Sequence, residues 1–420
     1  MSFLARRGLV TIGSPKPGDG RTLALTQFRP RALLLWWAER DELATNLGNR
    51  GGIGIHVDGG GSVAHAWFAD DRAATDAAAH AAGEFAVLSL ASPFASAPAC
   101  CAEATLRSDG FALNWQATRG GAWDVHYLAF GGSDLRDAAI GGLELVHDCT
   151  SVVADVGFRP DFALFVPTAA GGPEDPSPGL SYGIGAATSA SRQGATGVGV
   201  RVADATAVVR SAQRADAVIA LPNVEGATPF RAVARVVELR PSGPGLEVAV
   251  DPAASPVSVA CLALAGGRYS VAMHAGPSRP TRDWTRRVGF TPVGVLAFSW
   301  GLASIPAIKE VPRLSVGAGD RSGCGCLTWT LRPRCIWPLE PRSRSTEGSL
   351  LEVVDTRSGA LHASARLANL GADGFTLEWP QSDGHCREFV YAAFGAIERT
   401  QRRPRAMEVM RRLLGMRASK

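Results

Sequence analysis

The sequence predicts an all-β fold: three tandem β-sandwich, jelly-roll-like repeats of about 130 residues each, followed by a C-terminal amphipathic helix. Three observations lead there. Asp109–Gly131 (DGFALNWQATRGGAWDVHYLAFG) returns without a gap as Asp373–Gly395 (DGFTLEWPQSDGHCREFVYAAFG), 373 − 109 = 264 residues later. Phe28-Arg-Pro30, Gly157-Phe-Arg-Pro160 and Gly289-Phe-Thr-Pro292 each precede an apolar run, and their prolines step by 160 − 30 = 130 and 292 − 160 = 132. Gly52-Ile-Gly54, Gly183-Ile-Gly185 and Gly317-Ala-Gly319 step by 131 and 134. The short apolar runs are separated by turn formers drawn from 48 Gly and 26 Pro, the punctuation of a chain that reverses often.

The first repeat is expected over 1–137. Its opening, up to Gly20, ends in SPKPGDG and reads as a loose arm. Arg31–Trp37 is apolar on both alternating faces, so this strand must be covered on both sides. GGIGIHV and VAHAWFAD flank DGGGS, which makes a short hairpin, and the Ala-rich stretch Asp70–Glu84 reads as extended. Phe111, Leu113 and Trp115 alternate with Ala112 and Asn114, the period of a half-buried strand with Trp115 in the core. With Val125–Phe130 after the loop glycines, this unit reads as a β-hairpin, and Trp379 takes the place of Trp115 in the later copy.

The second repeat, 138–280, is a diverged copy. It shows SGPGLEVAV where the others have DGF and Trp, keeps its closing strand at Cys261–Gly267, and ends in a linker, HAGPSRPTRDWTRR. The third, 281–396, carries SGCGCLTWTLRPRCIWPLEPRSRSTEGS, whose Trp329, Trp337, Arg332 and Arg334 suggest an interaction loop. Beyond it, 397–420 reads as a basic amphipathic helix. Met407, Met410, Leu413 and Leu414 share one face, and Arg402, Arg403, Arg405, Arg411 and Arg412 supply the charge for docking onto a neighbouring subunit.

Charge narrows the partners. The net charge is +4, but Glu398–Lys420 alone holds seven Arg and one Lys against two Glu, +6, which leaves the body at 4 − 6 = −2. A basic body suited to nucleic acid is absent. No window approaches the run of about 20 apolar residues that crosses a bilayer, and MSFLARRGLVTIGSPKPGDG lacks the apolar centre of a signal peptide. The expectation is no membrane span and synthesis in the cytoplasm.

Chemistry-bearing motifs are scarce. Gly179-Leu-Ser181-Tyr-Gly183 has the letters of a nucleophile elbow without the strand before and the helix after that the elbow requires. Cys324-Gly-Cys326 with Cys335 and Cys386 lacks the paired spacing of a zinc site. The aspartates Asp109 and Asp373 precede Gly where a turn asks for Asp-Gly. His126, on a strand beside Tyr127, reads as a packed or rim histidine. No catalytic residue, metal or cofactor is expected. Aromatic rings near turns and in inserts remain, and Trp123, Trp329 and Trp337 are the candidates for stacking on a sugar or filling a partner's pocket.

The order GFxPxxxLxFxW, a Gly-x-Gly strand, DGFTLxW, then YLAFGG resembles the repeated β-domains of virion proteins encoded in tailed-phage, prophage and gene-transfer-agent clusters, components of tails, fibres or head spikes. It is carried by Phe28–Trp37, Gly52–Gly54, Asp109–Trp115 and Tyr127–Gly132, and again by Gly289–Trp300 and Asp373–Gly395. The resemblance implies a non-enzymatic structural component of a phage-like particle, located in the virion, with other virion subunits as partners and a role in host-surface contact. The alternative is a carbohydrate-binding, lectin-like adhesin for cell-surface polysaccharide.

Overall fold

The computed structural model describes residues 2–12, 21–40, 49–69, 76–83, 85–90, 98–118, 122–170, 179–203, 206–224, 228–254, 256–301, 307–309, 313–333, 339–355, 360–384 and 387–397. These residues form 31 strands and no helix, a β-sandwich-like, all-β fold. The first stretch of chain supplies β1 (Phe3–Ile12), β2 (Arg21–Leu25), β3 (Pro30–Arg40), β4 (Asn49–Val57), β5 (Gly61–Ala69), β6 (Asp76–Gly83), β7 (Val87–Leu90), β8 (Pro98–Leu106), β9 (Gly110–Thr118) and β10 (Ala122–Gly132). The second supplies β11 (Asp137–Leu145), β12 (Ser151–Val153), β13 (Phe162–Ala170), β14 (Gly179–Ser189), β15 (Arg192–Ala203), β16 (Thr206–Arg214), β17 (Ile219–Pro222), β18 (Phe230–Arg240), β19 (Gly243–Val250) and β20 (Val257–Ala265). The third supplies β21 (Arg268–Ala275), β22 (Thr281–Arg287), β23 (Pro292–Ser299), β24 (Ala307–Lys309), β25 (Arg313–Asp320), β26 (Gly323–Pro333), β27 (Leu339–Glu347), β28 (Leu351–Val354), β29 (Leu361–Gly371), β30 (Gly374–Gln381) and β31 (Glu388–Gly395).

Each stretch makes one large and one small antiparallel sheet, and β24 of the third stretch joins the edge of the second large sheet beside β16. The large sheets run β1-β10-β3-β4-β5-β6, β11-β20-β13-β14-β15-β16-β24 and β21-β31-β23-β25-β26-β27. The small ones run β2-β9-β8-β7, β12-β19-β18-β17 and β22-β30-β29-β28. Between the two sheets of each stretch lies an apolar cluster, centred on Trp37, Phe111 and Trp115 in the first, Phe165, Leu221 and Leu246 in the second, and Phe375, Trp379 and Phe389 in the third. Trp115 and Trp379 are buried there, as their alternation requires.

A fourth cluster is common to all three stretches. It takes Leu34, Trp36 and Phe130 from the first large sheet, Phe162, Leu164 and Tyr182 from the second, and Phe298, Trp300 and Trp329 from the third. β3 shows why: Leu33, Leu35 and Trp37 face the first stretch's own cluster, and Leu34 and Trp36 face the common one. A strand apolar on both faces is thus covered on both. The opening strand of each stretch also crosses a neighbour's large sheet, β11 over β3 to β5, β21 over β14 and β15, and β1 over β23, β25 and β26. The contacts therefore close on themselves.

One device recurs at the contact between the paired sheets. A Cβ added to Gly54, Gly185 or Gly317 would collide with the carbonyl oxygen of Ala86, Val218 or Leu350 respectively. Backbone meets backbone there, which only glycine permits. Likewise the carbonyl of Asp109 accepts from the N–H groups of Thr26 and Gln27, that of Asp373 from Val288 and Gly289, and that of Ser242 from Val156 and Gly157. The second stretch, without its Asp-Gly-Phe, keeps the same turn through Ser242, because the acceptor is main chain.

Several expectations need correction. Asp109–Gly131 and Asp373–Gly395 are not hairpins: β9 and β30 lie in small sheets while β10 and β31 lie in large ones, so each unit's two strands face one another across a core. Phe111 meets Tyr127 edge-on at 4.9 Å, and Phe375 meets Tyr391 at 5.0 Å. Alternation records that one face is buried, not which strand hydrogen-bonds to it. The opening arm contains β1, fully paired with β10 from Phe3↔Gly132 to Ile12↔Trp123. Residues 274–287 are no linker, because β21 pairs with β31 and β22 with β30, so the third stretch starts at Arg268 and not at 281. The expected interaction loop is largely the paired strands β26 and β27. The tail expected as a helix, with Arg402, Arg403, Arg405, Met407, Met410, Arg411, Arg412, Leu413 and Leu414, lies outside the described residues.

Candidate functional site

The aromatic candidates come first. Trp123 is 0% exposed and belongs to the first stretch's cluster, and Trp329 is 1% exposed in the common one, edge-on to Trp67 at 5.0 Å. Neither ring can meet a glycan at the surface, which removes the premise on which both were chosen. Their polar neighbours in sequence suggested loops, but each stands on a long strand buried from both sides. Trp337 lies outside the described residues. Ser181 is fully buried within β14, in a strand that passes directly to β15. Cys324 and Cys326 are buried free thiols whose pKa burial pushes up, and no group of three or more His, Cys, Asp or Glu among the described residues is placed to hold a metal ion.

Where the first and third stretches meet, the contact is polar. The Arg7 N–H donates to Asp320 Oδ2 at 3.0 Å, and the Arg6 guanidinium lies 3.7 Å from the same oxygen. His126, 1% exposed, stacks on Trp36 at 5.7 Å and places Nε2 2.9 Å from Ser345 Oγ on β27. Burial lowers its pKa to about 4, with Arg7 adding to the fall and Asp124 opposing it. The ring is therefore neutral at pH 7, a packed histidine in a seam.

A second feature arises at the Phe-x-Pro motifs. In the first stretch Pro30 pairs with Gly131, and in the third Pro292 pairs with Gly395. Both glycines are seats for the motif's ring: an added Cβ would lie 2.7 Å from Phe28 Cε2 at Gly131, and 2.7 Å from Phe290 Cε2 at Gly395. Phe290 is 3% exposed, capped by the Arg268 guanidinium 5.1 Å from its ring centre. In the second stretch the corresponding residue is Ala265, shown by the register Leu4↔Gly131, Asp137↔Ala265 and Arg268↔Gly395. Ala265 brings a methyl group where the others have glycine, and Asp137 holds the register position of Arg268 in the third stretch. The strand pairing there begins only at Phe162↔Leu264, and Phe158 remains half-buried and outside the stretch's apolar cluster.

A cleft of about 530 Å³ lies between Phe158, Pro160 and Ala265, reaching Leu239 on β18. Arg136, Arg159, Asp137, Asp161 and Thr188 supply its polar wall. Asp161 accepts the Gly266 N–H at 2.7 Å and lies 3.5 Å from Arg136. Arg159 differs from its counterpart: Arg29 pairs with Asp58 at 3.1 Å, whereas Arg159 makes no ion pair among the described residues. Thr188 Oγ1 is buried without a hydrogen-bond partner. Sequence reading missed this cleft, although its signal stood in plain view: Ala-Phe-Gly closes the first and third stretches at 129–131 and 393–395, and Ala-Leu-Ala stands at 263–265.

No helix among the described residues is long and apolar enough to cross a membrane. No protein-family model matches the chain, and no curated protein matches it significantly.

Proposed function

We propose that the chain is a non-enzymatic structural component of a phage-like particle, built as three tandem β-sandwich repeats closed into a pseudo-threefold body. The observation that carries this reading is the cluster common to the three large sheets, with each opening strand crossing the next sheet in cyclic order. A single chain thereby presents three similar outward faces around one axis, a shape that suits a symmetric position on a particle. Trp123, Trp329 and His126 are buried in packing. In this reading the basic segment 397–420 docks the body to a neighbouring subunit.

Two measurements test it. Co-purification from the native source, with neighbours identified by mass spectrometry, should recover capsid or tail proteins. A protein running free and monomeric would remove the reading. Deleting residues 398–420 should leave a folded body that no longer joins the particle, and incorporation of the truncated chain would dismiss the docking role.

A further inference from the structure

The cleft lies in the stretch that has Ala265 where the other two have glycine. A diverged position that merely relaxed would leave an apolar gap. Here the cleft carries instead a guanidinium with no ion pair and a buried hydroxyl with no hydrogen bond among the described residues, and a second arginine 3.5 Å from Asp161. Its volume, about 530 Å³, falls in the range of small-molecule sites, roughly 300–1,000 Å³.

The walls select the ligand's chemistry. Arg159 offers the planar donor fork that a carboxylate fits. Phe158, half-buried beside a mostly polar lining, offers an apolar contact suited to the C–H face of a sugar ring. Asp137 and Asp161 can accept hydrogen bonds from hydroxyl groups, and Thr188 Oγ1 can donate or accept one. A multiply charged inorganic anion would have no hydroxyl group to donate to Asp137 and Asp161 and would leave Phe158 unmatched. A neutral sugar would leave Arg159 unmatched. We propose that this cleft binds a saccharide unit bearing one carboxylate, a uronic acid or its equivalent, with Arg159 on the carboxylate and Phe158 against the ring. The proposal stands on the cleft alone and holds whether or not the chain belongs to a particle.

The test is calorimetric titration of the full chain with methyl glucuronide, methyl glucoside and inorganic phosphate in parallel. Saturable binding of the glucuronide is expected, with the glucoside weaker by about tenfold or more, the scale of one hydrogen-bonded charge. Arg159→Ala should weaken glucuronide binding by a similar factor, and because Arg159 is exposed, its thermal unfolding should match the parent's. Thr188→Val, read separately, should weaken both glycosides alike. The proposal is overturned by absence of saturable glucuronide binding, by equal affinity for the neutral glycoside, by an unchanged affinity in Arg159→Ala, or by phosphate binding tighter than the glucuronide.

Discussion

Phe290 and Phe158 hold the same place in their motifs, yet one is a core ring and the other lines a cleft. The residue across the ladder differs too: Phe290 packs against Gly395, and the second stretch has Ala265 at the matching place. The comparison teaches that a repeat architecture can acquire a site by losing one packing contact, since the other copies keep the fold secure.

The contrast should be broken most severely by removing the rings. Phe290→Ala is expected to cost about 3–5 kcal/mol, the usual loss for a buried phenylalanine, while Phe158→Ala should cost under about 1 kcal/mol because its ring is already partly in water. Denaturant unfolding of the two variants side by side checks this, and equal losses would contradict the assignment of the cleft.

Acid sharpens the comparison next. The seam around His126 is sealed, whereas the charged groups of the cleft are exposed. Because the folded pKa of His126 is lowered from 6.5 to about 4, the unfolded chain binds the extra proton first, so stability falls as pH drops through that window and levels off outside it. A shift of this size corresponds to about 3 kcal/mol. Unfolding free energies measured between pH 7 and 4 should show the step, and His126→Gln should lack that part of it. Asp320, Glu347 and Asp124 face the same seam with Arg6 and Arg7, so the histidine variant is the control that isolates the ring.

The smallest effect should come from the seat itself. Gly395→Ala forces a methyl against Phe290 and is expected to cost about 1–3 kcal/mol. Ala265→Gly, the reciprocal change, should cost less than about 1 kcal/mol, chiefly backbone freedom. Thermal melts of both resolve the pair, and a costlier Ala265→Gly would reverse the argument.

Much of this was legible beforehand, for identifiable reasons. The two-faced burial of β3, the turn at Asp109 and Asp373 and the extended Ala-rich β6 follow from local pattern, because burial periodicity and turn chemistry are written in neighbouring residues. Strand partnership was legible only at a tight turn, as in the β4–β5 hairpin across DGGGS, and not over long separations. β1 finds β10, and β21 finds β31, across more than a hundred residues, and nothing local distinguishes such a partner from the adjacent strand. Trp329 illustrates the cost: its Arg-rich surroundings suggested surface, and only the meeting of three sheets shows it as interior. The cleft was hidden differently. The divergence to Ala265 is visible by alignment of the three stretches, but its meaning depends on how near Phe28 and Phe290 come to the opposing backbone.

Asp134 holds two distant parts of the chain with one oxygen: the N–H groups of Phe3 and Ile397 both donate to its Oδ2 at 3.2 Å. Entry and exit therefore form a single suspension point. Tension applied between Phe3 and Ile397 meets that carboxylate first, and then the hydrogen bonds between β1 and β10 one pair at a time, starting from Phe3↔Gly132. Such a geometry unzips rather than shears. One carboxylate thereby latches the first and third stretches together at a single point.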